Sequence, residues 1–384
     1  MLNFHLDEQN ISSINAVQHR NSSSYFKVAH YRFPSVQERL QYYMGDWYRK
    51  SGWTVSDSDC IFLSKPVDYL NAYEEDCMMS TTEIKDCMRR HNQANARIPC
   101  ADAYRMINNT LDLDDANSTN NRWLFNNGDR SQGFNGNLPI ITKARQSSLL
   151  STYRHVADQP IMWPLNVESR HFGPLENYDR GVVKRGKEIL WSEKLPKLFW
   201  RGVTTGTRIK DLVRWINYND NHTDIAFNRF VQGDPSGFTK KYVTRHYARD
   251  SQTPLQMNRY KYLLSIEGND VATGLKWMLY SNSVVFMSPP TRVSWAMEDL
   301  LVPFVHYIPL SNDYSNLLEM VKWANEHDEA CQEISQRATE FIKHLWMSEQ
   351  AKKDTEYLKK ELVTLYVKQF DNALSKCAPD TVQG

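Results

Sequence analysis

From about Lys197 onward one pattern recurs: a short apolar run, a turn of small residues, then a stretch with helical spacing. Leu198-Phe199-Trp200 stops at Arg201-Gly202, residues 203–207 form a small-residue loop, and residues 209–216 read as a helix. Residues 262–266 are a second strand, running through Glu267-Gly268-Asn269-Asp270 into a helix expected over 271–280. Residues 283–287 are a third strand, ended by Pro289-Pro290; residues 304–308 are a fourth, followed by an amphipathic helix over 314–325. Strands and helices alternating at this spacing specify a parallel sheet, which must be covered on both faces. The end of the chain, 333–374, reads as helix, and so do 36–47 and 81–90 near its start. Residues 108–137, dense in Asn, Asp, Ser and Gly around Trp123-Leu124-Phe125, are expected to be strand, turn and loop, because short polar side chains compete for backbone hydrogen bonds.

At 384 residues the chain exceeds one ordinary core. The fold expected is α/β, with two domains facing each other across a cleft and the terminal helices packed along them. With 46 basic and 45 acidic side chains the net charge is +1, and no basic stripe of the kind that holds nucleic-acid phosphates is present. Lys352, Lys353, Lys359 and Lys360 alternate with Asp354, Glu356 and Glu361, the pattern of a solvated helix face. No run of 18 apolar residues occurs, and residues 1–10 lack the apolar core of a secretory signal. Six cysteines without a C-x-x-C pair are read as reduced thiols, and the location expected is cytoplasmic, at the inner face of the membrane with peripheral association.

Two segments carry the equipment for a diphosphate. In the first, Arg201 and Gly202 follow a strand while Thr205, Gly206 and Arg208 enter a helix: glycine lets backbone approach, hydroxyls donate, and arginine offers a planar fork. The alternative is a capped helix with Arg201 in a structural ion pair. In the second, Glu267 is followed by Val271, Ala272, Thr273, Gly274, Leu275 and Lys276, small residues opening a helix at the carboxyl end of a strand; here the alternative is an ordinary junction capped by Asp270. Asp129 follows an apolar strand and has the chemistry of a base that deprotonates a hydroxyl, or of a turn residue. Asp112-Leu113-Asp114 and Asp57-Ser58-Asp59 match the D-x-D arrangement that can hold a hard cation, a short pattern that chance also produces; no metal is expected. His306, in an apolar run, is read as a satisfied core histidine.

Trp200-Arg201-Gly202, the run from Tyr260 to Gly268, Val271 to Lys276, Asn282-Ser283-Val284-Val285 and Pro303 to Pro309 together resemble glycosyltransferase family 90, over roughly residues 120–345. The resemblance implies a GT-B-like fold of two Rossmann-type domains, an acceptor-side domain over 1–165, a donor domain over 166–345 and a helical extension over 346–384. It implies inverting transfer of a hexose, glucose or galactose, from a UDP-sugar without metal or other cofactor. Asn126 and Asp129 reproduce the spacing around the family's base, and Arg201 to Arg208 and Val271 to Lys276 look like its diphosphate contacts, with Lys276 where Rumi-type members carry Arg. Trp163, Pro164 and Arg170 fall on the acceptor side. Residues 165–173 depart from the pattern for protein acceptors, so the chain looks most like the lipopolysaccharide-core branch, with a glycan or glycolipid acceptor. The alternatives are a protein O-glucosyl- or O-xylosyltransferase and a non-catalytic UDP-sugar- or glycan-binding protein.

Overall fold

The computed structural model describes residues 32–51, 53–64, 76–80, 82–83, 122–126, 137–147, 160–162, 189–206, 212, 215–216, 221–231 and 249–377. The secondary-structure elements all lie in one compact unit, residues 34–384, and the expected boundaries at 165/166 and 345/346 both fall inside it.

The first helix, α1 (Val36–Met44), starts where Ser35 and Glu38 form a reciprocal cap: Glu38 N–H donates to Ser35 Oγ at 3.3 Å and Ser35 N–H to Glu38 Oε2 at 2.8 Å. Gly45, at φ 56°, ends it in a conformation that costs glycine little. A second helix, α2 (Asp57–Ser64), is followed by β1 (Asp76–Ser80), β2 (Arg122–Asn126), β3 (Ile141–Thr142), β4 (Ala144–Gln146) and β5 (Ile161–Met162). Strands β1-β2-β3-β5 form one sheet in that order, antiparallel at β1–β2 and parallel thereafter. Trp123, Leu124 and Phe125 of β2 are at most 1% exposed, so this strand is covered on both faces.

The second sheet contains β6 (Leu195–Val203), β7 (Thr223–Arg229), β8 (Tyr260–Leu264), β9 (Val284–Met287) and β11 (Ile308–Pro309), ordered β11-β9-β8-β6-β7 and parallel throughout. Between them lie the short α3 (Leu275–Tyr280) and β10 (Arg292–Ser294). Three helices complete the chain: α4 (Leu317–Glu326), α5 (Asp328–Ile342) and α6 (Glu349–Leu374), the last two joined through a π-helical turn at Lys343–Met347. Leu198, Trp200, Tyr262, Leu264, Val284 and Phe286 form one core with Leu317, Met320, Val321 and Ala324 of α4. The alternate residues Phe199, Leu263 and Val285 are also buried, and α3 and α5 pack against β9. The parallel sheet covered on both faces is therefore present, and truncating a residue such as Phe286 to Ala would cost about 3–5 kcal/mol.

Three expected boundaries move. The strand expected over 304–308 is only Ile308–Pro309, because Phe304 adopts φ 57° and cannot continue an extended run. Tyr314, at φ 56°, likewise delays α4 to Leu317. The helix expected from Val271 begins at Leu275: Asp270 Oδ1 accepts from its neighbour Val271 N–H at 2.7 Å and holds that segment in a turn. The helices expected over 81–90 and 209–216 fall largely outside the described residues.

The expectation of reduced thiols is corrected at one pair: Cys60 of α2 and Cys377, just beyond α6, form a disulfide across a sequence separation of 317. Spacing could not reveal it, because the partners meet only when α6 returns to the first sheet. There Tyr366 stacks on Trp123 at 5.1 Å and accepts from Leu124 N–H at 2.7 Å, and Gln369 donates to Trp47 O at 2.7 Å. Along α6 the Lys352–Glu349 and Lys359–Glu356 pairs carry exposed carboxylates, as expected of a solvated face. Among the described residues no helix is long and apolar enough to cross a membrane.

Candidate functional site

Because β6, β8 and β9 are parallel neighbours, the loops at their carboxyl ends lie side by side, which is where ligands collect in open α/β sheets. The first two touch. Gly206, at φ +84°, donates its N–H to Asn269 Oδ1 at 3.1 Å, and a Cβ on Gly206 would lie 2.3 Å from Gly268 O. A Cβ on Gly268 would in turn meet Thr205 Oγ1 at 3.0 Å. Gly206 is therefore set by close approach of the Gly268 backbone and by its left-handed conformation, and Gly268 by the nearby Thr205 side chain. The two diphosphate-like segments do converge.

Beside this junction a depression is lined by Ser265, Glu267, Val271, Ala272 and Leu275 from the loop after β8, Met287, Ser288 and Pro290 from the end of β9, and Arg292 and Glu298 beyond it. Glu267 accepts from Thr291 N–H at 2.7 Å, from the Thr291 hydroxyl, and from Arg292 N–H at 3.1 Å, and so ties the loop after β8 to the segment leading into β10. That segment also reaches residues 144–147: β10 pairs antiparallel with β4 in a separate two-stranded sheet, and Ser147 N–H donates to Thr291 O at 2.9 Å; nearby, Lys143 pairs with Asp270 of the loop after β8 at 3.3 Å.

Of the three basic residues expected to meet a diphosphate, Arg201 and Lys276 are each engaged by a carboxylate. Arg201 forms an ion pair with Asp224 of β7 at 2.7 Å, donates to Trp200 O and Asp224 O, and lies 4.5 Å over the Phe199 ring; this is the structural ion pair of the alternative reading. Gly202 is required by packing, since a Cβ there would lie 2.3 Å from the Trp200 ring. Lys276 is 1% exposed, outside the pocket lining, with its ammonium 2.9 Å from Glu298 Oε1. Burial favours the neutral form of Glu298, but Lys276 and the hydrogen bonds from Ser294 outweigh it and hold the carboxyl below its ordinary value. Thr273 is exposed and Gly274 half-buried at the start of α3. Asp129, Trp163, Pro164, Arg170, Arg208, Asp112 and Asp114 lie outside the described residues. Asp59, in the other D-x-D match, caps α2 by accepting from Ser56 N–H at 2.9 Å. Among the described residues no group of three His, Cys, Asp or Glu is arranged to hold a metal ion. His306 is the satisfied core histidine expected, its Nδ1 accepting from Val302 N–H at 2.9 Å.

Sequence reasoning missed Arg292 and Glu298, although Pro289-Pro290 at the carboxyl end of β9 marked the place where a third ligand loop begins.

The pattern of Glycosyl transferase family 90 matches residues 162–371, more than half of the chain and inclusive of every pocket-lining residue. This chain belongs to that family. Among similar proteins of family 90 or its likeness, O-glucosyltransferase LpsA of Dichelobacter nodosus is 30% identical over 173 residues, covering 44% of this chain and 49% of the relative. Protein O-glucosyltransferase 2 of Danio rerio is 29% identical over 154 residues, covering 40% and 30%. Protein O-glucosyltransferase 1 of Homo sapiens is 24% identical over 191 residues, covering 50% and 47%. The chain thus spans about half or less of the length of these relatives.

Proposed function

We propose that the chain is an inverting, metal-independent glycosyltransferase of GT-B-like arrangement that moves glucose from UDP-glucose to a hydroxyl of a glycan acceptor. One observation carries the donor side of this reading: the loops after β6 and β8 meet at Gly206 and Gly268, and the pocket opens beside that contact. Glycines at a strand crest let backbone approach a diphosphate closely, and Arg292 in the pocket wall supplies the cation. The names of the three relatives above, each an O-glucosyltransferase, favour glucose over galactose.

In this reading Asp129, three residues beyond the carboxyl end of β2, takes the acceptor proton while the hydroxyl oxygen attacks the anomeric carbon from the face opposite UDP. The C1–O bond to the diphosphate breaks as the new one forms, and UDP leaves with the electron pair. The test is Asp129→Asn: UDP affinity measured by calorimetry should stay within about threefold, while turnover falls by about 10³-fold or more, within the range expected for loss of a catalytic base. An unchanged rate removes Asp129 from the mechanism, and activity abolished by EDTA removes the metal-independent reading.

A second reading, transfer to a protein hydroxyl, is favoured by the Cys60–Cys377 disulfide, since such bonds persist in oxidising compartments where secreted proteins mature. Incubating the enzyme and UDP-[14C]glucose with delipidated glycan or with folded cysteine-rich domains separates the two acceptors.

A further inference from the structure

A buried ion pair, Lys276 with Glu298, lies at the pocket wall. Lys276 and Glu298 are 1% and 2% exposed, and the ammonium lies 2.9 Å from Oε1 but off the line of a directed hydrogen bond, so the attraction is chiefly coulombic. Both carboxylate oxygens of Glu298 are engaged: Oε2 accepts from Ser294 N–H at 2.6 Å, and Oε1 accepts from the Ser294 hydroxyl at 2.6 Å and meets Lys276. Ser294 is the last residue of β10, the strand that begins with Arg292 and pairs with β4. The residue after Glu298 continues the connection: Asp299 accepts from Tyr42 of α1 at 2.6 Å, while Tyr43 donates to Trp295 O at 2.8 Å.

We infer that Lys276 is a positioning residue: through Glu298 and Ser294 it fixes β10, and with it Arg292 and the Thr291 clamp on Glu267, without touching the donor itself. This rests on reading the pocket as the UDP-sugar site. An isolated carboxylate could not stay ionised in so dry a place, and an uncharged or displaced Glu298 would release Ser294 and let the Arg292 end of β10 drift. Lys276 thus shapes the pocket from behind its wall.

The test is a double-mutant cycle of Lys276→Met, Glu298→Gln and the combination, read by melting temperature and by calorimetric UDP affinity. Gln at 298 keeps one acceptor for Ser294 N–H and can donate its amide N–H to the Ser294 hydroxyl, so the double variant removes both charges while keeping the contact with β10. Each single variant strands a buried charge and should melt about 5 °C or more lower and bind UDP about tenfold more weakly. The double variant should recover both, to within about 3 °C and threefold of the parent. Should a single variant fail to fold, the double variant decides alone: retained UDP affinity supports the inference, and lost affinity with a normal melting point makes Lys276 a donor contact and overturns it. Single variants that melt low yet bind UDP normally reduce the pair to a fold element, which also overturns it. Strictly additive melting shifts overturn it by removing the coupling. A parent protein that fails to bind UDP, alongside recovered melting in the double variant, instead overturns the donor reading and leaves the support of β10 standing.

Discussion

Arg201 at the β6–β7 edge and Lys276 beneath the β8–β9 crest look alike in sequence, each a cation just past a strand, and each is engaged by a carboxylate. Their surroundings differ. Asp224, the partner of Arg201, is 36% exposed, whereas Glu298, the partner of Lys276, is 2% exposed. Water reaches Asp224 and weakens the first pair, although Arg201 itself is only 7% exposed. Neither member of the second can leave without stranding the other in a dry cavity. A charged residue near a ligand loop is therefore available to a ligand only if its present partner is wet, and that is a property of the partner, not of the cation.

The largest expected effect breaks or confirms this contrast directly. Lys276→Met should lose about 3–5 kcal/mol of unfolding free energy in urea, because it leaves Glu298 buried without its counter-charge; a loss below about 1 kcal/mol would place the pair in the same class as Arg201–Asp224. Next in size is the covalent seam far from the crest. Cys60→Ser, or reduction with dithiothreitol, should cost about 2–4 kcal/mol by freeing the unfolded chain, with UDP affinity unchanged. A weakened UDP site in the reduced protein would mean that the seam and the crest are one mechanical unit.

A graded effect, read across pH, separates His306 from Glu298. His306 is held at about 3, first by burial and then by the Arg337 charge, so between pH 6.5 and 3 the unfolded chain binds a proton that the native one refuses. Stability should fall by about 1.4 kcal/mol per pH unit in that window. Glu298 adds a further loss as pH drops below its unfolded value near 4.5, since its native carboxyl is held lower. His306→Asn, which keeps an acceptor for Val302 N–H, should flatten the upper part of the profile and leave the lower part, which Glu298→Gln should flatten instead. Arg201→Ala should cost about 1–3 kcal/mol in stability, because it takes donors from Trp200 O and Asp224 O as well as from the partly exposed Asp224 carboxylate. If Arg201 also meets the donor, the KM for UDP-glucose should rise more than this stability loss accounts for.

What the sequence discloses here is whatever is local. The apolar runs at Leu198, Tyr262 and Val284 had no alternative to buried parallel strands, and the small residues around Gly206 and Gly268 pointed to backbone contact. The late start of α3 was hidden because Asp270 competes for Val271 N–H at a range of one residue, a choice that helix periodicity cannot register. The break at Phe304 was hidden because an apolar residue at positive φ is an exception held by its tertiary setting. Partners remote in sequence left no trace: nothing near Lys276 announces Glu298, nothing near β4 announces β10, and nothing near Cys60 announces Cys377. Asp129 is legible only through its resemblance to a family pattern, and that part of the site rests on the variant proposed above.

The return of α6 onto β2 has a consequence for biosynthesis. Trp123, Leu124 and Trp47 find Tyr366 and Gln369 only once the chain has been made as far as α6, where Tyr366 lies 242 residues beyond Leu124, whereas each strand of the parallel sheet pairs with partners far nearer in sequence.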